Sequence, residues 1–584
     1  MQAEAEGYYS CDRREVKAGA RYRYRLNRDR FLPDPASRFQ PEGVHGPSQV
    51  VDPGDFEWSD EGWKGIRLEE VILYELHVGT FTPEGTFAAL EEKLPVLEDL
   101  GVTAVELMPI AEFPGGRNWG YDGVDLFAPS RAYGTPNDLR RLVNRAHRLG
   151  IAVFLDVVYN HLGPEGAYLS AFSPHYFTDR HRSPWGDGVN LDGEKRGPVR
   201  DFFIENALHW VHEYHIDGLR LDATHAMADE SSPHFLAELA AKVRASLPSG
   251  RSVLIVAEDD RNEARLVRPV ASGGDGLDAV WSDDFHHQTR VLLAGDNRGY
   301  YQDFRPAVGD LVEIIEKGWL YAGRYSAYRE RPWGTDPRGI PPQRFVHCIQ
   351  NHDQVGNRAF GERLNHQADP AAYRAASALL LCSPSTPLLF MGQEWGASTP
   401  FLYFTDHPEE LGRRVTEGRR REFRRFQAFQ DPENFNRIPD PQLLETFLKS
   451  KLLWPERGEE THRGLLALYR ALIRVRRTEP ALHRRTARFD AGEVGGGVIA
   501  LRRDAPGAPS LLALVLLKGG GRVTLGSAPI TRPPARAGWE VLFTTEGPLF
   551  APGSTPPSID LGAMTIDFPS PAAVILRSLA PKTS

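Results

Sequence analysis

The stretch IAVFLDVVYNH, residues 151–161, decides how the chain is read. Residues 151–158 are apolar except for Asp156, and the run then turns polar at Tyr159, Asn160 and His161. A strand covered on both faces reads as such a continuous run, whereas a half-exposed strand alternates. Just upstream, residues 136–149 carry Leu139, Leu142, Val143 and Ala146 at i, i+3, i+4 and i+7, the spacing of an amphipathic helix. Outward in both directions the succession recurs. Short apolar runs stand at 71–78, 102–108, 218–221, 253–257, 279–282, 345–350 and 387–391, with helical patterns at 87–100, 199–214 and 233–246. Eight such strands alternating with helices predict an α/β fold, a closed parallel (β/α)8 TIM barrel. An open doubly wound sheet is the alternative. It would usually show a glycine-rich phosphate turn after its first strand, and none follows residues 71–78.

The flanks break the rhythm. Residues 1–67 read as a short or truncated N-terminal β module, with alternation over 20–26 and then a Pro/Asp/Gly-rich linker. The barrel is expected over 68–485, with a long insertion after strand eight. Runs at 497–502, 510–517, 539–543 and 572–576 predict a C-terminal all-β sandwich domain over 486–584. Inside the insertion, the basic stretch GRRREFRRF (418–426) reads as a solvated helix with paired charges rather than an anion site.

A net charge of −9 argues against a nucleic-acid partner. The longest apolar run, 378–391, is broken by Ser383-Pro384-Ser385-Thr386-Pro387, so no membrane span is expected. The acidic start lacks an apolar signal region, and three cysteines without ligand spacing fit a reducing cytoplasm. The sequence leaves the oligomeric state unknown.

Side chains at the C-terminal ends of barrel strands converge on one mouth. There the sequence places Asp156 to His161 after strand three, Arg220 to His225 after four, and Glu258-Asp259-Asp260 after five. Asp283 to His287 follow strand six, Asn351 to Gln354 strand seven, and Gln393-Glu394 strand eight. Carboxylates paired in this way suit glycoside cleavage, which needs a proton for the leaving oxygen and a carboxylate facing an oxocarbenium-like carbon. Adjacent strands lie about 4.8 Å apart, matching the roughly 5 Å carboxyl separation of retaining enzymes. Asp222 and Glu258 end adjacent strands. Arg220, two residues before Asp222, points the same way and can orient it. Glu258 must hold a proton, which neighbouring carboxylates favour. Asp353 can brace sugar hydroxyls. Taken singly, Asp259 or Asp260 reads as a salt bridge or helix cap. A catalytic metal is not expected, because strand one (Glu75-Leu76-His77-Val78) lacks a His-X-His pair and Arg220 would compete with a cation. No cofactor is expected.

The motifs DVVYNH (156–161), GLRLDATH (218–225), VAED (256–259) and QNHDQ (350–354) resemble the α-amylase superfamily of glycoside hydrolases over about residues 68–580. The resemblance implies Asp222 as nucleophile, Glu258 as acid/base and Asp353 as transition-state stabiliser. It implies Arg220, His161 and His352 at the −1 sugar, with Tyr121 and Asp122 as platform and hydroxyl ligand. Further substrate-contact candidates are Leu221, Ala223, Thr224, His225, Asp283, Asp284, His286, His287, Gln354 and Asn357. Trp119 and Trp281 read equally as sugar platforms or core indoles. Within the superfamily, YELHVGTFTPEGTF (74–87), WSDDFHH (281–287), NHDQVGNRAFGERL (351–364) and PLLFMGQEWGASTPFLYFTDH (387–407) are most similar to the maltooligosyltrehalose trehalohydrolases. That likeness implies maltooligosyl trehalose and related α-glucans as substrates, with trehalose released in its biosynthesis. Branching enzymes, amylase-type hydrolases and a non-catalytic carbohydrate-binding relative are the alternatives that the acids alone leave open. Residues 19–53 match only the end of such relatives' N-terminal β-domain.

Overall fold

The computed structural model describes residues 1–27, 30–183, 185–424, 435–483 and 486–579. Eight strands close a parallel barrel in sequence order: β1 (Leu73–Leu76), β2 (Ala104–Leu107), β3 (Ala152–Val157), β4 (Gly218–Leu221), β5 (Leu254–Ala257), β6 (Ala279–Trp281), β7 (Phe345–Cys348) and β8 (Thr386–Phe390). All eight expected runs become these strands, with bounds at most two residues from those expected. Alternation along each strand sends Tyr74, Val105, Val153 and Leu219 outward beneath the helices. It sends Leu73, Ala104, Phe154, Leu254 and Val256 into the barrel. Gly218 is required in that layer, because a Cβ there would lie 2.5 Å from the Phe154 ring. One layer higher the interior turns ionic. Glu75 pairs in register with Glu106, and Asp156 with Arg220.

The surrounding helices include α1 (Phe87–Leu100), α2 (Pro136–Arg148), α3 (Arg196–Glu213), α4 (Phe235–Ser246), α5 (Asp284–Ala294), α6 (Val308–Lys317), α7 (Pro370–Cys382), α8 (Glu409–Phe423) and α9 (Glu460–Thr478). Helix α2 starts where its sequence demands. Thr135 and Asp138 form a capping box around Pro136 at the first helical position. No helix among the described residues is long and apolar enough to cross a membrane.

After the barrel, β9 (Arg488–Val494), β10 (Val498–Asp504), β11 (Leu511–Leu516), β12 (Gly521–Thr524), β13 (Trp539–Thr544), β14 (Ser558–Asp560), β15 (Thr565–Phe568) and β16 (Ala572–Ser578) form two antiparallel sheets. The orders are β9-β10-β11-β16-β13 and β12-β15-β14. Val498, Leu512, Leu514 and Val574 meet Val523, Ile566 and Phe568 of the second sheet in one core. The opposite face, with Ile499, Leu511, Ala513 and Ile575, belongs to the main core shared with the barrel. Before the barrel, only two- and three-residue ladders occur: Gln2–Ala3 with Tyr9–Ser10, Arg21–Tyr22 with Ser48–Gln49, and Tyr24–Leu26 with Arg30–Leu32.

Candidate active site

Leu221 and Ala257 are register partners on β4 and β5, so Asp222 and Glu258, one residue later on each, emerge side by side at the mouth. The Arg220 guanidinium ties the floor together. Its Nη1 donates to both Asp156 oxygens (2.9 and 2.8 Å) and to Asp222 Oδ1 (2.7 Å). Its Nη2 lies 3.7 Å from Glu258 Oε2. The Trp281 ring lies beneath this guanidinium at 4.4 Å, so that indole is a cation–π support within the floor. Asn160 donates to Asp222 Oδ2 at 2.8 Å, leaving the nucleophile candidate held at both oxygens.

Glu258 is positioned by backbone. Ala223 adopts φ 41°, a left-handed conformation that costs a non-glycine residue about 1 kcal/mol. That turn aims its N–H at Glu258 Oε2, 2.6 Å away. Thr224 fixes the same turn by donating to Glu258 O. Burial pushes the Glu258 carboxyl well above its ordinary range, and the charges of Asp222, Asp283 and Asp353 add to the push against the pull of Arg220. Burial likewise raises Asp283 to about 7. The loop before Tyr121 depends on Gly120 at φ 110°, where a Cβ would sit 2.1 Å from Pro109 O. Tyr121 then lies flat against His352 with ring centroids 5.3 Å apart.

Two connected cavities open above this floor. The smaller, about 520 Å³, is lined by Tyr121, Asp122, His161, Arg220, Asp222, Ala223 and His352 among others. The larger, about 1060 Å³, is lined by Asp284, His287 and Gln354 among the expected residues. His225, Glu258, Asp283, Asp353 and Asn357 border both. Three of the expected contacts face elsewhere. Leu221 is fully buried core, Thr224 spends its hydroxyl on the Glu258 turn and Asp259, and His286 bonds Ile349 O. Asp284 reaches the cavity wall, but its Oδ2 is engaged by the backbone N–H groups of Leu320 and Tyr321. Trp119 is buried, stacked on Phe401, with its N–H on Leu402 O.

Residues that sequence reading did not find complete the walls. Trp185 stacks on His161 with centroids 4.3 Å apart and planes 5° from parallel. Tyr300, Tyr328 and Arg329 line the larger cavity. Arg419 lines both, and here the reading of the basic stretch is corrected. Helix α8 does carry exposed pairs, Arg413 with Glu417 and Arg414 with Glu410. Arg419 instead turns inward, donates to Gly356 O at 2.7 Å and lies over Tyr403 and Phe423. Residues 425 and 426 of that stretch fall outside the described residues. A signal existed in Phe423: an aromatic within a basic helix marks a face that packs. His225, Asp259 and Asp260 bring ligand atoms within 4.8 Å of one another. Asp259 is already paired with Arg261 and Asp260 with Arg329, so a cation would have to displace guanidinium partners.

Residues 51–207 match the family model for the alpha amylase catalytic domain. The chain is 50% identical to a malto-oligosyltrehalose trehalohydrolase of Deinococcus radiodurans, covering 80% of this chain and 76% of that one. It is 44% identical to the enzyme of the same name from Saccharolobus solfataricus, covering 82% and 81%. The chain belongs to the malto-oligosyltrehalose trehalohydrolase family. As a member, it is a glycoside hydrolase of the α-amylase superfamily. A crystal structure of a candidate alpha amylase from Salmonella typhimurium superposes with a TM-score of 0.86 at 39% identity, covering 99% of this chain and 94% of the other.

Proposed function

We propose that the enzyme hydrolyses, with retention, the α-1,4 bond next to the trehalose unit of maltooligosyl trehalose. One observation carries the reading. Asp222 lines only the smaller cavity, whereas Glu258 borders both. The ring under attack then occupies the smaller cavity and the leaving disaccharide the larger, with the acid at the boundary. Asp222 attacks the anomeric carbon while Glu258 protonates the departing trehalose oxygen. Oε2 of Glu258 accepts from Ala223 N–H, so the mobile proton is carried on Oε1. Trehalose leaves a glycosyl–Asp222 ester. Glu258, now ionised, takes a proton from water, whose oxygen adds to the same carbon and frees the maltooligosaccharide. Asp353, bonded to Asn357 Nδ2, faces both cavities and braces the distorted ring.

Trp185 and Tyr121 support sugar binding in the smaller cavity, and Tyr300 and Tyr328 in the larger, since aromatic faces pack well on pyranose rings. The unpaired Cys11, Cys348 and Cys382 support work in a reducing cytoplasm, as part of trehalose formation.

The test is incubation with maltotriosyl trehalose. The expected products are trehalose and maltotriose in equal amounts, with Asp222→Asn folded but inactive. Accumulation of longer α-1,6-linked chains, or near-native turnover by Asp222→Asn, would overturn the reading.

A further inference from the structure

We propose that Glu75 is a positioning residue of the catalytic floor: it holds the His352 ring as an imidazolium, and that cation locks the Tyr121–Asp156–Arg220 chain that ends on Asp222. The inference rests on Asp222 being the nucleophile.

Glu75 lies inside the barrel on β1, is fully buried and touches no part of either cavity. Both its oxygens are spent on one residue, His352, just past the end of β7, two strands away around the barrel. Oε2 accepts from the His352 backbone N–H at 2.8 Å, and Oε1 faces His352 Nδ1 at 2.5 Å. The far ring nitrogen, Nε2, lies 2.8 Å from the Tyr121 hydroxyl. That hydroxyl has one hydrogen, and it points at Asp156 Oδ2, 2.6 Å away. Asp156 is an acceptor, because both its oxygens also receive Arg220 Nη1. The Tyr121 oxygen must therefore accept from His352, so Nε2 carries a hydrogen. Nδ1 carries one too, since its partner is a carboxylate oxygen. Proton counting along the chain thus gives a doubly protonated ring.

The charges agree. With His352 cationic, two cations face Glu75, Asp156 and Asp222, and one negative charge remains, on the nucleophile. With His352 neutral, the buried chain would hold two uncompensated charges. Burial works against a charged His352, and the Glu75 carboxylate more than offsets it. Asp353, on the same short helix, helps, and Arg220 across the barrel opposes. His77, beyond β1, is driven down to about 3 by burial and adds no charge.

Glu106, the register partner of Glu75, behaves oppositely. Among the described residues neither of its oxygens has a hydrogen-bond partner. Burial raises it well above the ordinary range, and the charges of Glu75 and Asp156 raise it further. It is the neutral acid of the pair, outside the chain, and the charge of the pair belongs to Glu75.

Two isosteric substitutions separate these roles. Glu75→Gln removes the charge and keeps the shape. On maltotriosyl trehalose, kcat at pH 7 should fall about ten- to a hundredfold, the usual range for an orienting partner one step removed from the chemistry. KM should stay within about threefold, and the alkaline limb of the kcat/KM profile should move about one pH unit or more downward. Glu106→Gln should leave kcat and both limbs within about twofold. A Glu75→Gln enzyme with wild-type kcat and an unmoved alkaline limb would overturn the proposal, as would equal losses in the two variants. Histidine 15N spectra of the wild-type enzyme test it even where a variant does not fold. Two protonated ring nitrogens on His352 at pH 7 support it, and one bare nitrogen at that pH defeats it. Asp222→Asn is run alongside. If that variant stays active, the site reading fails; if it is dead and Glu75→Gln is unaffected, only the present proposal fails.

Discussion

As the proposed acid, Glu258 must carry a proton at a pH where most carboxyls have lost theirs, and burial among other carboxylates favours that form. Burial and three neighbouring carboxylates raise it, while Arg220 limits the rise. Activity that needs this proton is present below the raised value and is lost as pH climbs through it. The residue-scale prediction follows from the leaving group. In Glu258→Gln the amide cannot donate, so hydrolysis of maltotriosyl trehalose should fall about 10³-fold. Maltotriosyl fluoride, whose fluoride departs without protonation, should lose far less in its first step. Stopped-flow release of fluoride measures this, and an equal loss on both substrates would assign the acid elsewhere. Asp222 and Glu258 were readable from the sequence because each follows an apolar run by one residue and because β4 and β5 are neighbours. Ala223 also stood among the expected contacts. Its backbone role did not, because a left-handed turn at an alanine leaves no mark on residue type.

Among the elements, the eight barrel strands could be read because burial on both faces writes itself as an unbroken apolar run. Part of the wall of the larger cavity could not. Tyr300 sits in the short 3-10 helix Gly299–Asp303, and Tyr328 and Arg329 in the turn between the short strands Arg324–Ser326 and Arg331–Trp333, segments too brief to show a period. Arg419 escaped for the opposite reason: its helix is periodic and charged, and charge pattern alone does not say which arginine turns inward. The strands β9, β12, β14 and β15 were likewise unexpected, since β12, β14 and β15 are short and β9 is mostly polar. The linker before β1 hides another polar device. His147 on α2 bridges Asp60 of the linker (2.7 Å) and Asp217 at the start of β4 (2.8 Å). Trp63 stacks on the His147 ring and donates to Asp217. Burial pulls the His147 pKa down, but Asp217 and Asp60 outweigh it and leave it raised above 6.5. Burial raises Asp60, but the bonds from His147 and His215 bring it below 3.8. The histidine's stabilisation is full below pH 6.5 and fades as pH rises through its raised value; that of Asp60 is present above 3.8 and fades as pH falls. His147→Gln should therefore cost about 2 kcal/mol near pH 6, the loss of charged hydrogen bonds to two buried carboxylates that keep His215, Arg251 and Trp63 as partners. Calorimetry at pH 6 and pH 9 should show the gap to wild type narrowing at the higher pH. A constant gap would mean that His147 acts by shape alone.

At the scale of the whole molecule, the chemistry sits at one end of the barrel and the most deeply buried joint to the C-terminal sheets at the other. The acids stand at the C-terminal ends of the strands. The contact with the following sheets runs along α7, from the Arg374–Glu546 ion pair near its start to the bottom of the barrel, where α7 runs into β8. There Arg476 donates to Leu381 O, Ser383 O and Ser385 O, and Arg503 of β10 donates to Cys382 O and Leu482 O. Both guanidiniums are buried without a carboxylate partner in these bonds. Burial draws them down to about 10 and about 9, so both stay charged at neutral pH. What holds them is the negative end of α7, whose last carbonyls lack intrahelical partners. Arg503 thus joins β10 to the barrel by capping one of its helices. Arg503→Met keeps the apolar stem and leaves the Cys382 and Leu482 carbonyls unpaired in the interior. The expected loss is about 2–3 kcal/mol of stability, that of hydrogen bonds from a charged donor. Because the Cys382 carbonyl lies before the N-terminal end of β8, away from the acids, kcat and KM at 25 °C should match wild type while the thermal midpoint falls. Thermal inactivation followed by the trehalose-release assay distinguishes the two effects. A change in KM without a change in midpoint would mean that the C-terminal sheets act on the cleft, and would break the division of labour between the two ends.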